Sequence, residues 1–210
     1  MTKFTKKEIL IDQGFVVYDW LTKRLDNLQI SRERRTLLSV SCFDQVIEHH
    51  LATCTLLRSK IYGSAFALVR PIFEGFVRGV WLSRCATEIE INQFEKDTFN
   101  PKFGHLLAKV EQVAGFESGL LTSLKKSSWS AMNSYTHTGI LQASKRFTKE
   151  QVQPSYSDEE VTEVLKIAGS FALLSFQQIA SAADRLDLAH EGGILLAKTV
   201  EEFSPAEKFQ

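Results

Sequence analysis

Apolar residues along this chain recur every three or four positions, and runs that alternate at every second position are short. A period near 3.6 marks helices buried along one face, so the pattern predicts helices and hardly any strand. Turn residues are too sparse for a series of hairpins. A first helix is expected over residues 6–28, with Leu10, Val17, Leu21 and Leu28 on its apolar stripe. Ser31 is placed to cap a second, reaching about Leu57, whose core side carries Phe43, Val46, Ile47, His50, Cys54 and Leu57. Gly63 and Ser64 open a third that ends near Cys85. Shorter helices are expected over residues 88–96 and 102–114, the latter stopped by Gly115, and a sixth over 120–144 with its weak point at Gly139. Residues 151–156, with Pro154, form a connecting loop. Ser157 and Glu160 then make a capping box for a long final helix to about Leu188. Gly192 and Gly193 interrupt that helix, and a short tail helix follows before Pro205. The fold class is therefore all-α: a multi-helix bundle with long helices and short connections. Residues 1–210 read as a single helical domain, with a core bundle over about 31–188 and the N-terminal helix and C-terminal tail packed on it.

Composition adds boundaries to this picture. At 210 residues and 44% hydrophobic content, the chain has ample material for a core. Twenty-five basic residues balance 25 acidic ones, so any binding to nucleic acid must come from a local patch. Arg32, Arg34 and Arg35, Lys125 with Lys126, and Lys145 with Arg146 are the local concentrations, and solvated helix ends are their plain reading. Three scattered cysteines, Cys42, Cys54 and Cys85, argue against a disulfide framework and for a reducing compartment. The opening residues lack a long apolar segment of the secretory kind. A cytoplasmic location is the expectation. Residues 64–82 approach the length of a membrane span, yet they contain Arg70, Glu74 and Arg78, which are costly in lipid. A buried helix of a soluble protein, with no membrane partner, is expected instead.

The same segment is the richest in chemistry. At about 100° per residue, Arg70, Glu74, Arg78 and Trp81 share one helix face, bordered by Phe66, Phe73 and Val77. Gly75, Gly79 and Ser83 form a small-residue stripe opposite, where another helix can approach closely. Pro71 predicts a kink by removing a backbone donor. Glu74 lies four residues from each arginine and can pair with either, leaving one positive charge over. Two readings remain open: a polar network that fixes packing, or an anion-binding or catalytic cleft. A second constellation runs from Trp129 to Gly139. Asn133 and His137 are four apart, with hydroxyls on Tyr135, Thr136 and Thr138. A histidine in such a setting suits general acid–base work, and equally suits a bond tying two helices together. In Glu48-His49-His50 the adjacent imidazoles diverge by about 100°, which disfavours chelation. His50 lies on the apolar stripe and can reach the third helix. No zinc spacing, phosphate loop or nucleophile elbow is present, so no metal and no cofactor are expected.

The order His49-His50, Ser64-Ala-Phe-Ala-Leu-Val-Arg70-Pro-Ile-Phe-Glu74, Arg78, Trp81-Leu82 and Asn133-Ser-Tyr-Thr-His137-Thr-Gly139 resembles a family of uncharacterised bacterial helical proteins, catalogued as a domain of unknown function. The likeness spans roughly residues 49–139. More distantly the chain is similar to the HEPN superfamily of helical bundles, many of them dimeric, metal-independent ribonucleases of toxin–antitoxin and phage-defence systems. Their signature is an arginine, a polar residue, three further residues and a histidine. Asn133 and His137 match its last two elements, while Met132 stands at the arginine position. The resemblance implies a HEPN-like bundle and a homodimer. It implies RNA cleavage in which His137 moves the proton, Asn133 orients that histidine or the phosphate, and Arg70 or Arg78 supplies the missing positive charge from a neighbouring helix; Glu74 completes the candidate catalytic set. His50, Tyr135 and Trp81 are candidate ligand contacts. RNA or a cognate toxin or antitoxin protein is the implied partner. The competing expectation is a non-catalytic module: an immunity or antitoxin-type protein, or a sensor of an anionic small molecule.

Overall fold

In the computed structural model, residues 5–99, 101–148 and 150–203 are described. They form ten helices and no strand: α1 (Lys6–Leu25), α2 (Arg34–Arg58), α3 (Tyr62–Ala67), α4 (Val69–Arg84), α5 (Glu88–Glu95), α6 (Phe103–Val110), α7 (Leu120–Thr136), α8 (Ile140–Ser144), α9 (Asp158–Ala182) and α10 (Leu186–Phe203). The protein is an all-α bundle. Helix α2 packs against α4 and α9, α1 lies across α2 and α9, and α10 covers α9. Helix α6 lies on α4, while α7 crosses α3 and α4.

The small-residue stripe does what its spacing predicts. A Cβ on Gly79 would sit 2.5 Å from Phe43 Cε1, and one on Gly75 would sit 3.1 Å from Val46 Cγ2. Glycine thus lets α4 seat directly on α2. On its other sides α4 buries Phe73 and Phe76, whose rings meet Phe171 of α9 at 5.5 and 5.1 Å between centroids. Helix α9 is long and apolar enough to cross a membrane by length and composition, and 61% of its most apolar stretch is buried inside the bundle.

Several boundaries differ from the sequence reading. The expected third helix is two helices broken at Leu68, because Pro71 has no N–H for the Ala67 carbonyl and its ring crowds that oxygen. The freed carbonyl lies 3.3 Å from the Thr136 hydroxyl of α7, whose nearer acceptor is the Met132 carbonyl of its own helix at 2.9 Å. Ser31 does not cap α2: the helix starts after Glu33, and the Ser31 hydroxyl accepts the Glu33 N–H instead. Helix α1 ends at Leu25, before the left-handed Asn27, and α6 ends at Val110. Helix α9 stops at Ala182, not Leu188, with Asp184 in the left-handed region at φ 58°. Gly192 and Gly193 lie inside α10 and interrupt nothing. A Cβ at Gly192 would meet Phe176 at 2.9 Å, so this glycine serves helix contact. Pro205 lies outside the described residues.

The basic run near α2 proves to be a clamp. Arg35 donates to the Leu82 and Ala86 carbonyls at the end of α4, and Arg34 and Arg35 both pair with Glu88 of α5.

Candidate functional site

Helix α4 emerges from its break with Arg70 and Glu74 facing the edge of the bundle, and each side chain is 22% exposed. They are neither sealed in the core nor free in solvent. Arg70 Nε donates to Glu74 Oε1 at 2.8 Å. Arg70 Nη1 approaches His137 Nε2 at 2.5 Å. Guanidinium nitrogens only donate, so His137 Nε2 is the acceptor and its ring proton sits on Nδ1. The Arg70 Cζ lies 4.9 Å from the Trp129 ring centre, over its face. Three partners therefore hold one guanidinium: a carboxylate, an imidazole and an indole.

Helix α7 supplies the opposite wall as a ridge. Lys125, Trp129, Asn133 and His137 follow at four-residue steps and fall on adjoining strips of one side. Phe103 of α6 stacks on Trp129 with centroids 4.9 Å apart and planes 4° from parallel. Lys125 Nζ is 5.6 Å from the same ring centre. Asn133 Oδ1 is buried and has no hydrogen-bond partner among the described residues.

His137 owes its position to how α7 ends. Its backbone N–H bonds the Asn133 carbonyl, and the Gly139 N–H reaches back to the Ser134 carbonyl at 2.7 Å. Thr138, between them, adopts φ 55°. This is a Schellman-type stop with a β-branched residue where glycine is usual. Gly139 is required one position later, since a Cβ there would lie 2.5 Å from Ser134 Oγ and 2.9 Å from Ser134 Cα. The same Ser134 hydroxyl accepts the Leu141 N–H and starts α8. The chain turns sharply and leaves His137 exposed at the corner.

Of the residues singled out from sequence, the fold brings Arg70, Glu74 and His137 into contact and sets Asn133 one turn away. The others lie elsewhere. Arg78 makes no hydrogen bond or ion pair among the described residues, and its charge acts on Cys42 of α2, where it opposes burial, which pushes that thiol up to about 11. Trp81 is wholly buried and stacks on Phe99 at 4.9 Å. His50 does not reach α4. It is buried beside α1, where its Nε2 meets the Gly14 carbonyl at 3.0 Å, and burial lowers its pKa to about 4. Tyr135 faces a cavity on the other side of α7, against Phe66 at 5.0 Å. Met132 is 3% exposed and faces that same cavity, so the arginine that a HEPN signature would carry there has no counterpart in place. Arg70 reaches the histidine from α4 instead. Phe103 and Lys125 were not expected at the site, and Trp129 was read only as the first residue of the second constellation, with no role of its own. The four-residue ladder from Lys125 to His137 is the signal that would have found the two on α7, while nothing local foretells Phe103. Among the described residues no three His, Cys, Asp or Glu side chains converge as metal ligands would.

No curated protein and no solved structure matches the chain. One family model does match, over residues 43–204, from α2 to the end of α10. It reaches well beyond residues 49–139 and encloses Arg70, Glu74, Asn133 and His137. The chain therefore belongs to the family of unknown function DUF6988.

Proposed function

We propose that the Arg70–His137 pair is a phosphodiester site and that the protein is a HEPN-like, metal-independent ribonuclease. The observation that carries this reading is the 2.5 Å approach of Arg70 Nη1 to an exposed histidine, with the arginine held by Glu74 and Trp129. An incoming RNA phosphate is a stronger acceptor than imidazole and takes the guanidinium donors. That exchange frees the Nε2 lone pair of His137. The base then takes the proton of the 2′-hydroxyl, whose oxygen attacks phosphorus as the P–O5′ bond breaks. Arg70 stabilises the charge gathering on the phosphoryl oxygens, and the 5′-oxygen takes a proton from water. The products are a 2′,3′-cyclic phosphate and a 5′-hydroxyl. Glu74 and Trp129 are positioning residues for Arg70. Lys125, along the ridge, meets a neighbouring phosphate.

In excess EDTA, wild-type protein should cleave an RNA oligonucleotide to cyclic-phosphate ends and leave the all-deoxy analogue intact. His137→Ala should lower the rate by about 10²-fold or more, and Arg70→Ala by a similar factor, with little change in melting temperature. Wild-type protein that leaves RNA uncut removes the ribonuclease reading.

A second reading is favoured by one feature: the His137 lone pair is already engaged by Arg70, so the pair at rest is a donor-rich clamp without a free base. In this reading the protein is a non-catalytic module, an immunity or antitoxin-type protein or a sensor of an anionic small molecule. Thermal stabilisation by phosphate or nucleotides without turnover supports it. The HEPN likeness also underlies the wider proposal of a cytoplasmic homodimer in toxin–antitoxin or phage defence, with RNA or a cognate protein as partner. Growth arrest on expression, and mass by light scattering, test those two parts separately.

A further inference from the structure

Across α7 from His137 lies a cavity of about 330 Å³ between α3, α4, α7, α8 and α9. Its floor is apolar, built from Phe66, Val69, Met132 and Val164, all buried. Its polar groups lie on α7, α8 and α9: Tyr135, Lys145, Glu160 and Glu163 among them. An apolar floor with a few convergent polar groups is the usual make-up of a small-molecule site.

We propose that this cavity binds a small monovalent organic cation with an apolar body, its ammonium set between the Glu163 carboxylate and the Tyr135 ring and its body on the Phe66–Met132 floor. Charge decides the sign of the ligand. Lys145 Nζ pairs with Glu160 at 2.7 Å. Glu163, one turn further along α9, makes no ion pair among the described residues and is exposed. One ammonium against two carboxylates leaves one negative charge in the lining. The chain's own amine shows how such a group is received here: Lys145 Nζ touches a carboxylate and lies 5.9 Å from the Tyr156 ring centre, over its face. Tyr156 in turn packs on Phe66 and Tyr135. Burial and the nearby Glu160 charge push the Tyr135 hydroxyl up to about 12, so it stays neutral and able to donate. This site shares no residue with the Arg70–His137 pair, and its existence does not depend on what that pair does.

The test is calorimetric titration of the full chain with phenethylammonium chloride, with 2-phenylethanol and 3-phenylpropionate as the neutral and anionic counterparts. Saturable binding is expected for the cation, weaker binding for the alcohol and none for the carboxylate. Glu163→Gln should weaken the cation by about fivefold, the scale of one part-exposed charge pair, with melting unchanged. Ala131→Leu, which fills the cavity wall, should abolish binding of both the cation and the alcohol. If that variant does not fold, Glu163→Gln decides alone. Failure of the cation to bind, equal binding of cation and alcohol, or undiminished binding in Glu163→Gln overturns the proposal.

Discussion

At the scale of single residues, the most telling position is Thr138. A β-branched side chain at φ 55° carries left-handed strain of about 1–2 kcal/mol, and it sits directly after the histidine proposed to move a proton. Asparagine tolerates that region far better. Thr138→Asn should therefore raise stability by about 0.5–1 kcal/mol, read as a higher urea midpoint at unchanged slope. Because asparagine holds the same turn, His137 keeps its place and the same variant should keep its activity. His50 gives a second residue-level expectation. Its pKa falls from the ordinary histidine range to about 4 because burial disfavours the charged ring. The unfolded chain takes up this proton near pH 6.5, while the folded one resists until about pH 4. Stability from this group is thus full above pH 6.5 and is lost as pH falls through that window. The loss amounts to about 3 kcal/mol by linkage. Urea unfolding at pH 7.5 and pH 4.5 should show most of it, and His50→Gln should flatten the difference. An equal slope in wild type and variant would remove His50 as the cause.

At the scale of helices, glycine placement carries the argument. Glycine costs about 1 kcal/mol of helix propensity against alanine, so a helical glycine with open space around it should gain from substitution and one under a neighbour should not. Gly79 lies under Phe43, and Gly192 under Phe176. Gly193, next to Gly192, has only ordinary contact at 3.7 Å with Gln177. Gly79→Ala and Gly192→Ala should each destabilise by about 1–3 kcal/mol through overpacking, whereas Gly193→Ala should be neutral or stabilising by up to about 1 kcal/mol. Chemical unfolding of the three variants checks this. Destabilisation by Gly193→Ala would mean that α10 does break where the sequence pattern suggested. Helix ends were legible where they are marked by side-chain caps: Ser157 with Glu160 starts α9 as read. They were missed where the stop is a left-handed residue other than glycine, at Asn27 and Asp184. Asparagine and aspartate are the residues that tolerate that region best after glycine, a weak signal that they share with many solvent-facing helical positions.

At the scale of the whole molecule, a formal net charge of zero sets a limit on how any polynucleotide is held. Arg70 of α4 and Lys125 of the α7 ridge are the two cations placed at the site, so binding of single-stranded RNA should weaken with salt at a log–log slope of only about −1.4. A slope several times steeper, measured by fluorescence anisotropy between 50 and 200 mM salt, would mean that phosphates are held elsewhere, for instance along Lys126 and Arg146. The sequence by itself determined the helical class and the seating of α4 on α2 through Gly75 and Gly79. It also determined the break near Pro71 and the pairing of Glu74 with an arginine four residues away. All of these are local, set by the 3.6-residue period and by covalent geometry. Which arginine Glu74 chooses, that His137 rather than His50 meets it, and that Trp129 and Phe103 stack beside it were decided only by tertiary structure. Helix periodicity tells which side of α7 a residue occupies, but not that the carbonyl freed at Ala67 would draw Thr136 down onto α3. That contact is one part of the packing of α7 on α3, α4 and α6, which together set the imidazole at the corner of α7 within reach of Arg70.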